Sequence, residues 1–187
     1  QQLGLGHAVL MARDKIGNEP FAVFLPDDII WDEGPTIGSM IEQYREHGAN
    51  VIAVKEVPDS AVPLLGIVDG QPVSDREYMV SGMIEKPSLE NAPSNLAIIG
   101  RYVLSPEIFD VLESIEPGAI GEIQLTDAIK MMIDNPGVRA YRFPGRHFDV
   151  GTPVGLLKAA IYAALRRDEM KDDIVEWMKV AIAEHGS

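Results

Sequence analysis

Residues Phe21-Ala22-Val23-Phe24-Leu25-Pro26-Asp27-Asp28 form an apolar run of strand length that stops abruptly at two carboxylates. An apolar run with no polar interruption is the mark of a strand covered on both faces, as in a parallel sheet flanked by helices, where ligands gather at the carboxyl ends of the strands. Asp27 and Asp28 therefore stand where chemistry is expected. Carboxylates beside a dry sheet repel each other and lose hydration, which calls for a cation, and hard oxygen ligands favour Mg2+ over zinc. The local sequence leaves a second reading open, in which Asp27 or Asp28 caps the turn that follows.

Composition narrows the partners. The 187 residues are read as one domain, 1–187, long enough to bury about 70% of the unfolded surface. With 46% hydrophobic and 24% charged residues the chain is of the soluble globular class. No apolar run approaches the ~20 residues that span a bilayer, so neither a membrane span nor a secretory leader is expected. The absence of cysteine rules out disulfides and thiolate metal sites, and the cytoplasm is the expected compartment. A net charge of −13 speaks against nucleic acid or anionic lipid as partner, because phosphate recognition needs a cationic surface. A phosphate ligand would have to be held by a few local cations, backbone amides or a metal.

Beyond the acids the chain alternates short strands and helices, which is the α/β signature. Ile37, Met40, Ile41 and Tyr44 lie on one helical face, Gly48 supplies the stop, and Val51-Ile52-Ala53-Val54 reads as the next strand. Residues 64–68 and 78–84 read as strands of a hairpin-like excursion turning at Asp69-Gly70, and 96–104 as another strand. Ser105-Pro106-Glu107 has the make-up of a helix start, with serine as cap and proline in the first turn. A helix over 123–133, an extended segment over 138–143 and two amphipathic helices over 153–167 and 172–183 complete the pattern. Their apolar faces can pair with a copy of the chain, so a homo-oligomer is expected. At the other end Gln1 to Ala12 enters a helix at once, with no strand before it, so the chain reads as the later part of a larger domain.

Other constellations join Asp27. In Met83-Ile84-Glu85-Lys86-Pro87 a strand ends in an acid, a base and a proline, and strand alternation puts Glu85 and Lys86 on opposite faces. A carboxylate accepts two sugar hydroxyls and an ammonium pairs with a phosphate, although a solvated strand end has the same composition. In Asp149-Val150-Gly151-Thr152-Pro153 the acid either belongs to the capping turn of a helix or is a distant second carboxylate completing a metal site with Asp27. No spacing rule says that the two meet. Glu122 and Thr126 sit where a helix begins, open to either capping or ligand contact. Gly4 and Gly6 permit close backbone approach but fail the dinucleotide fingerprint. His7, His47, His147 and His185 show no metal-ligand spacing and are read as ordinary.

Taken in order, Gly4-Leu5-Gly6-His7-Ala8, Leu25-Pro26-Asp27-Asp28, Glu85-Lys86-Pro87, residues 93–102 (Pro-Ser-Asn-Leu-Ala-Ile-Ile-Gly-Arg-Tyr), residues 122–127 (Glu-Ile-Gln-Leu-Thr-Asp) and Asp149-Val150-Gly151 closely resemble the bacterial UTP-glucose-1-phosphate uridylyltransferases. The resemblance implies a mixed, mostly parallel Rossmann-like nucleotidyltransferase sheet flanked by helices, incomplete at its N-terminus. It implies uridylyl transfer from UTP to glucose 1-phosphate, with Mg2+ as cofactor. Asp27 and Asp149 would hold the metal, Glu85 would bind glucose hydroxyls and Lys86 would contact the sugar phosphate. Gly66 would lend a backbone group to the sugar, Asn95 would line its pocket, and Gly6 would approach the uridine, with His7 beside it. Glu122 and Thr126 would line or support the pocket. Two departures stand out. Leu65 precedes Gly66 where the family often has tyrosine, and the family's Gly-x-Gly-Thr-Arg phosphate loop, its lysine and its base-reading glutamine have no counterpart. The chain alone is therefore expected to have little activity, and a non-catalytic sugar-phosphate or nucleotide-binding module, or a pyrophosphorylase of different specificity, is the rival reading.

Overall fold

The computed structural model describes residues 3–31, 34–117 and 121–185. Gln1 and Gln2, counted above with the opening helix, lie outside them. In chain order, α1 (Leu5–Leu10) and α2 (Arg13–Ile16) are followed by β1 (Phe21–Phe24) and β2 (Asp28–Trp31). Then come α3 (Thr36–His47), β3 (Asn50–Glu56), β4 (Gly66–Pro72), β5 (Glu77–Glu85) and β6 (Leu96–Leu104). The remainder is α4 (Ile108–Ser114), α5 (Leu125–Met131), β7 (Val138–Arg142), β8 (Arg146–Asp149), α6 (Pro153–Leu165) and α7 (Asp168–His185). These elements form two compact units. One is drawn from the described residues of Gln1–Leu25 and Asp32–Pro144, the other from those of Pro26–Trp31 and Gly145–Ser187. No described helix is long and apolar enough to cross a membrane.

The first unit is built on a six-stranded sheet of order β1-β6-β3-β7-β5-β4. The α/β class and the mixed sheet are as expected, but the balance of directions is not. Among the described strands β3 and β7 are the parallel pair, and the other pairings are antiparallel. The strands covered on both faces are β3, whose Val51, Ile52, Ala53 and Val54 are all 0% exposed, and β6, which is buried throughout except at Arg101. Ile52 and Val54 face a core made with Leu112 of α4 and Leu125 and Ile129 of α5, while α3 packs against β3 and β6 with Met40 fully buried. β1, by contrast, stands at one end of the sheet and alternates half-buried with exposed residues. Phe21 stacks on Phe109 at 5.0 Å, whereas Phe24 lies outside, under the Arg101 guanidinium at 4.8 Å. Four apolar residues cannot tell a doubly covered strand from one whose outer face is roofed by an arginine.

Two local signals resolve differently from their sequence reading. Asp69-Gly70 is no turn: it lies inside β4, where the register shifts from Asp69↔Gly82 to Gly70↔Val80 and the Ser81 hydroxyl bonds the Asp69 carbonyl. The dipeptide marks a β-bulge, and the hairpin turns at 73–76 instead, closed by the Val73 N–H on the Glu77 carbonyl at 2.7 Å. Ser105 does not cap α4 with its side chain. It is buried, with its N–H donating to Asn50 Oδ1 at 2.8 Å, and α4 starts at Ile108.

In the second unit β2 and β8 form an antiparallel ribbon with Asp28↔Asp149 and Ile30↔His147 directly opposite. The other face of the ribbon carries Trp31 and Phe148, both packed on Tyr162 of α6 at 5.6 and 5.2 Å. α6 begins at Pro153, as the sequence indicates, with the Thr152 hydroxyl accepting the Gly155 N–H at 3.1 Å.

Candidate functional site

The expected residues divide between the units, and each group is held by a different device. In the first unit the carboxyl end of β5 pairs Glu85 with Gly66, the first residue of β4. Thr126, in the first turn of α5, donates its hydroxyl to Glu85 Oε2 at 2.7 Å. A Cβ on Gly66 would lie 3.0 Å from that same Oε2 and 3.1 Å from Ile98 Cδ1, so the glycine is what leaves room for the acid. The tyrosine-to-leucine departure at Leu65 does not disturb this contact, since the Leu65 carbonyl simply accepts the Lys86 N–H at 3.1 Å.

Glu85 and Lys86 do not point to opposite faces in the way that strand alternation predicts. Lys86 has φ 47°, the one non-glycine positive φ among the described residues, and its ammonium comes to 3.8 Å from Glu85 Oε1. The left-handed turn ends the ladder and brings acid and base to one side. Such a conformation costs a lysine about 1–2 kcal/mol, and outliers of this kind cluster at functional sites. The Glu85 side chain is 26% exposed and the Lys86 side chain 60%, so the pair is reachable from solvent.

The other expected residues of this unit are placed less directly. Asn95 is exposed in the bend before β6, its carbonyl accepting the Val57 N–H at 3.0 Å. Ser94 fixes that bend: its hydroxyl donates to the Val68 carbonyl at 2.6 Å and accepts the Leu96 N–H at 2.9 Å. Glu122 is half-buried and accepts the Gln124 side-chain amide at 3.0 Å. Gly6 is buried, with its N–H on the Ile123 carbonyl at 2.9 Å, and a Cβ there would sit 2.9 Å from Leu112 Cδ2. Packing thus accounts for that glycine. His7 is half-buried on α1. A cleft of about 610 Å³ bordered by Gln43 and Tyr141 contains none of the expected residues.

In the second unit Asp27 and Asp149 meet. The Val150 N–H donates to the Asp27 carbonyl at 2.7 Å, which places both acids at the same end of the ribbon. The position a Cβ would take on Gly151 lies 3.1 Å from Asp149 Oδ1 and 3.4 Å from Asp27 Oδ2. Both carboxylates therefore converge on one point, and only a glycine leaves that point open. Both acids are exposed, and Asp149 Oδ1 accepts the Gly151 N–H at 3.0 Å. Two hard oxygens around a cradle that a side chain would fill suit a divalent cation that completes its shell with substrate phosphates and water. The turn reading of Asp149 also holds, because its carbonyl accepts the Thr152 hydroxyl at 3.1 Å. One residue serves as cap partner through its backbone and as ligand candidate through its side chain.

Nothing in the sequence marks the roles that the fold gives to Gly155 and His147. A Cβ on Gly155 would overlap the Asp149 carbonyl, so α6 can seat its first turn against the acid only with glycine there. His147 has no metal-ligand spacing in the sequence, yet its Nε2 is hydrogen-bonded to Asp28 Oδ1, with both side chains largely shielded from solvent. Ribbon register was the missing signal, since Asp28 and His147 become diagonal neighbours only once β2 and β8 pair.

Comparison with known proteins identifies the setting. The family model described as nucleotidyl transferase matches residues 1–164. A UTP–glucose-1-phosphate uridylyltransferase of Staphylococcus haemolyticus is 49% identical over 179 residues, covering 96% of this chain and 62% of that protein. A second such protein from Staphylococcus saprophyticus is 48% identical over the same shares. Among solved structures, UDP-glucose pyrophosphorylase complexed with UDP-glucose superimposes with a TM-score of 0.85 at 38% identity, over 89% of this chain and 64% of that one. The UTP-bound enzyme from Acinetobacter baumannii gives 0.85 at 40% identity, over 95% and 62%. The chain thus spans 62% of the length of the curated relatives it matches. With the family model covering most of its length, the chain belongs to the nucleotidyl transferase family.

Proposed function

We propose that this chain supplies the sugar-phosphate-binding and cation-binding residues of a UTP–glucose-1-phosphate uridylyltransferase. The observation that carries the reading is the convergence of Asp27 and Asp149 on Gly151, two acids far apart in sequence that meet beside a glycine. The names borne by the curated relatives point to the same reaction. In that reaction a phosphate oxygen of glucose 1-phosphate forms a bond to the α-phosphorus of UTP, the bond from that phosphorus to its bridging oxygen breaks, and pyrophosphate leaves. The attacking oxygen is already ionised at neutral pH, so no general base is required. What the protein must supply is orientation and relief of the repulsion between two anions.

The residues fit those tasks. Glu85 has one oxygen engaged by Thr126 and lone pairs left for sugar hydroxyls. The exposed Lys86 ammonium is a point charge for the sugar phosphate. Gly66 and Asn95 would complete the sugar pocket, with Glu122 and Thr126 supporting it and Gly6 and His7 toward the nucleotide. Asp27 and Asp149 would hold Mg2+, which when bound neutralises phosphate charge.

Pyrophosphate release by the complete protein carrying this sequence, over a panel of nucleoside triphosphates and sugar 1-phosphates, tests the reading. UTP with glucose 1-phosphate is expected to lead. Another pair in the lead would overturn the specificity, and binding of both ligands without release would favour a non-catalytic module. Lys86→Ala is expected to weaken glucose 1-phosphate far more than UTP.

A further inference from the structure

We infer that His147 and Asp28 act as a positioning pair that sets the Asp27–Asp149 carboxylates for cation binding; this rests on the cation reading of those two acids proposed above. Three carboxylates crowd the end of the ribbon: Asp27, Asp28 and its direct partner Asp149. Among the described residues no three acidic or histidine groups gather as a metal-ligating set, and Asp28 has a partner of its own in His147. The reason is visible in the register. His147 lies opposite Ile30, so it is diagonal to Asp28 on the same face of the ribbon, and its imidazole takes up Asp28 Oδ1.

With Asp28 as a carboxylate, which only accepts, the imidazole Nε2–H is the donor of this bond. The Asp28 and His147 side chains are only 19% and 16% exposed, whereas Asp27 and Asp149 are open to solvent. The pairing has two effects. It holds one carboxylate aside, leaving a two-oxygen site of the kind that suits a cation still bound to phosphates and water. It also ties β2 to β8 next to the Val150–Asp27 hydrogen bond, the link that brings the two ligand candidates to the same end. Groups that orient metal ligands from behind commonly change metal affinity by about 10–100-fold when removed.

Mn2+ titration of the 187-residue chain, read as paramagnetic broadening of the Gly151 amide in an NMR spectrum, tests this directly and separates the site from the many other acids of the chain. Wild type should broaden saturably at Gly151. His147→Ala should bind Mn2+ about tenfold or more weakly with an unchanged tryptophan emission spectrum, and His147→Arg, which restores a donor to Asp28, should recover most of the affinity. Equal affinity in His147→Ala and wild type overturns the inference, as does equal weakness of His147→Ala and His147→Arg. Should His147→Ala fail to fold, Asp28→Asn carries the test, and wild-type affinity in that variant overturns it. Absence of broadening at Gly151 in the wild type overturns the cation reading itself, and the positioning role with it.

Discussion

The two units hold their site residues by opposite means. The first unit has a deep core spanning the sheet, α1, α4 and α5, and Glu85, Lys86 and Thr126 are the ends of elements which that core fixes. Among the described residues of the second unit only Ala159 and Ala164 are buried, while Leu157, Trp177 and Ile182 are each about three-fifths exposed. Its acids are held instead by a short ribbon, a helix cap and two glycines. Both sites need glycines, but Gly66 in the first unit is backed by a core, whereas Gly151 and Gly155 in the second hold their acids by backbone fit with little buried apolar surface behind them. Few buried apolar contacts also mean a lower local stability.

The largest expected effect lies in the second unit. Gly155→Val would drive a side chain into the Asp149 carbonyl, and overpacking of this kind costs about 3 kcal/mol. Trp31 and Trp177 both belong to the second unit, so tryptophan fluorescence follows it alone. In urea the fluorescence transition of the variant should fall well below its far-ultraviolet circular dichroism transition. Coincident transitions would break the contrast between the units.

Gly66→Ala comes next. Its methyl would press on Glu85 Oε2 and Ile98 Cδ1, an overpacking cost of about 1–2 kcal/mol, with glucose 1-phosphate affinity reduced and the tryptophan transition unmoved. A smaller loss is expected from Thr126→Val, which removes the hydroxyl donor of Glu85. A hydrogen bond to a charged group is worth about 1.5 kcal/mol, or about tenfold in glucose 1-phosphate affinity if it is spent on orienting the acid. Calorimetry on the two variants measures both. Smallest, and opposite in sign, is Lys86→Gly: relief of the left-handed backbone should stabilise the first unit by up to about 1 kcal/mol while glucose 1-phosphate binding falls. A variant destabilised in urea would remove the argument that Lys86 is held there for function.

Much of the fold was legible because apolar periodicity reports burial. The helix over Thr36–His47 with its Gly48 stop, the strand after it and the Thr152-Pro153 helix start all stand where the sequence puts them. Pairing was not legible. The run ending at Asp27 reads like a buried parallel strand and is an antiparallel one at the end of the sheet, because sequence carries no record of which neighbour a strand takes. Asp69-Gly70 reads as a turn and is a bulge for the same reason.

The candidate site shows the same division. Asp27, Glu85, Lys86 and Asp149 stood out as acids and a base at element ends. The features that aim them are relations across space and have no local signature: the left-handed Lys86, the space left by Gly151, the seat at Gly155 and the His147–Asp28 bond.

The division of labour between the units is tested most directly by calorimetric titration of glucose 1-phosphate, without divalent cation, into Glu85→Gln and Asp27→Asn. Glu85→Gln should weaken binding by about tenfold, as expected for loss of charge-assisted bonds to sugar hydroxyls, while Asp27→Asn should match the wild type. Equal losses in both variants would contradict the assignment of sugar phosphate to the first unit and cation to the second.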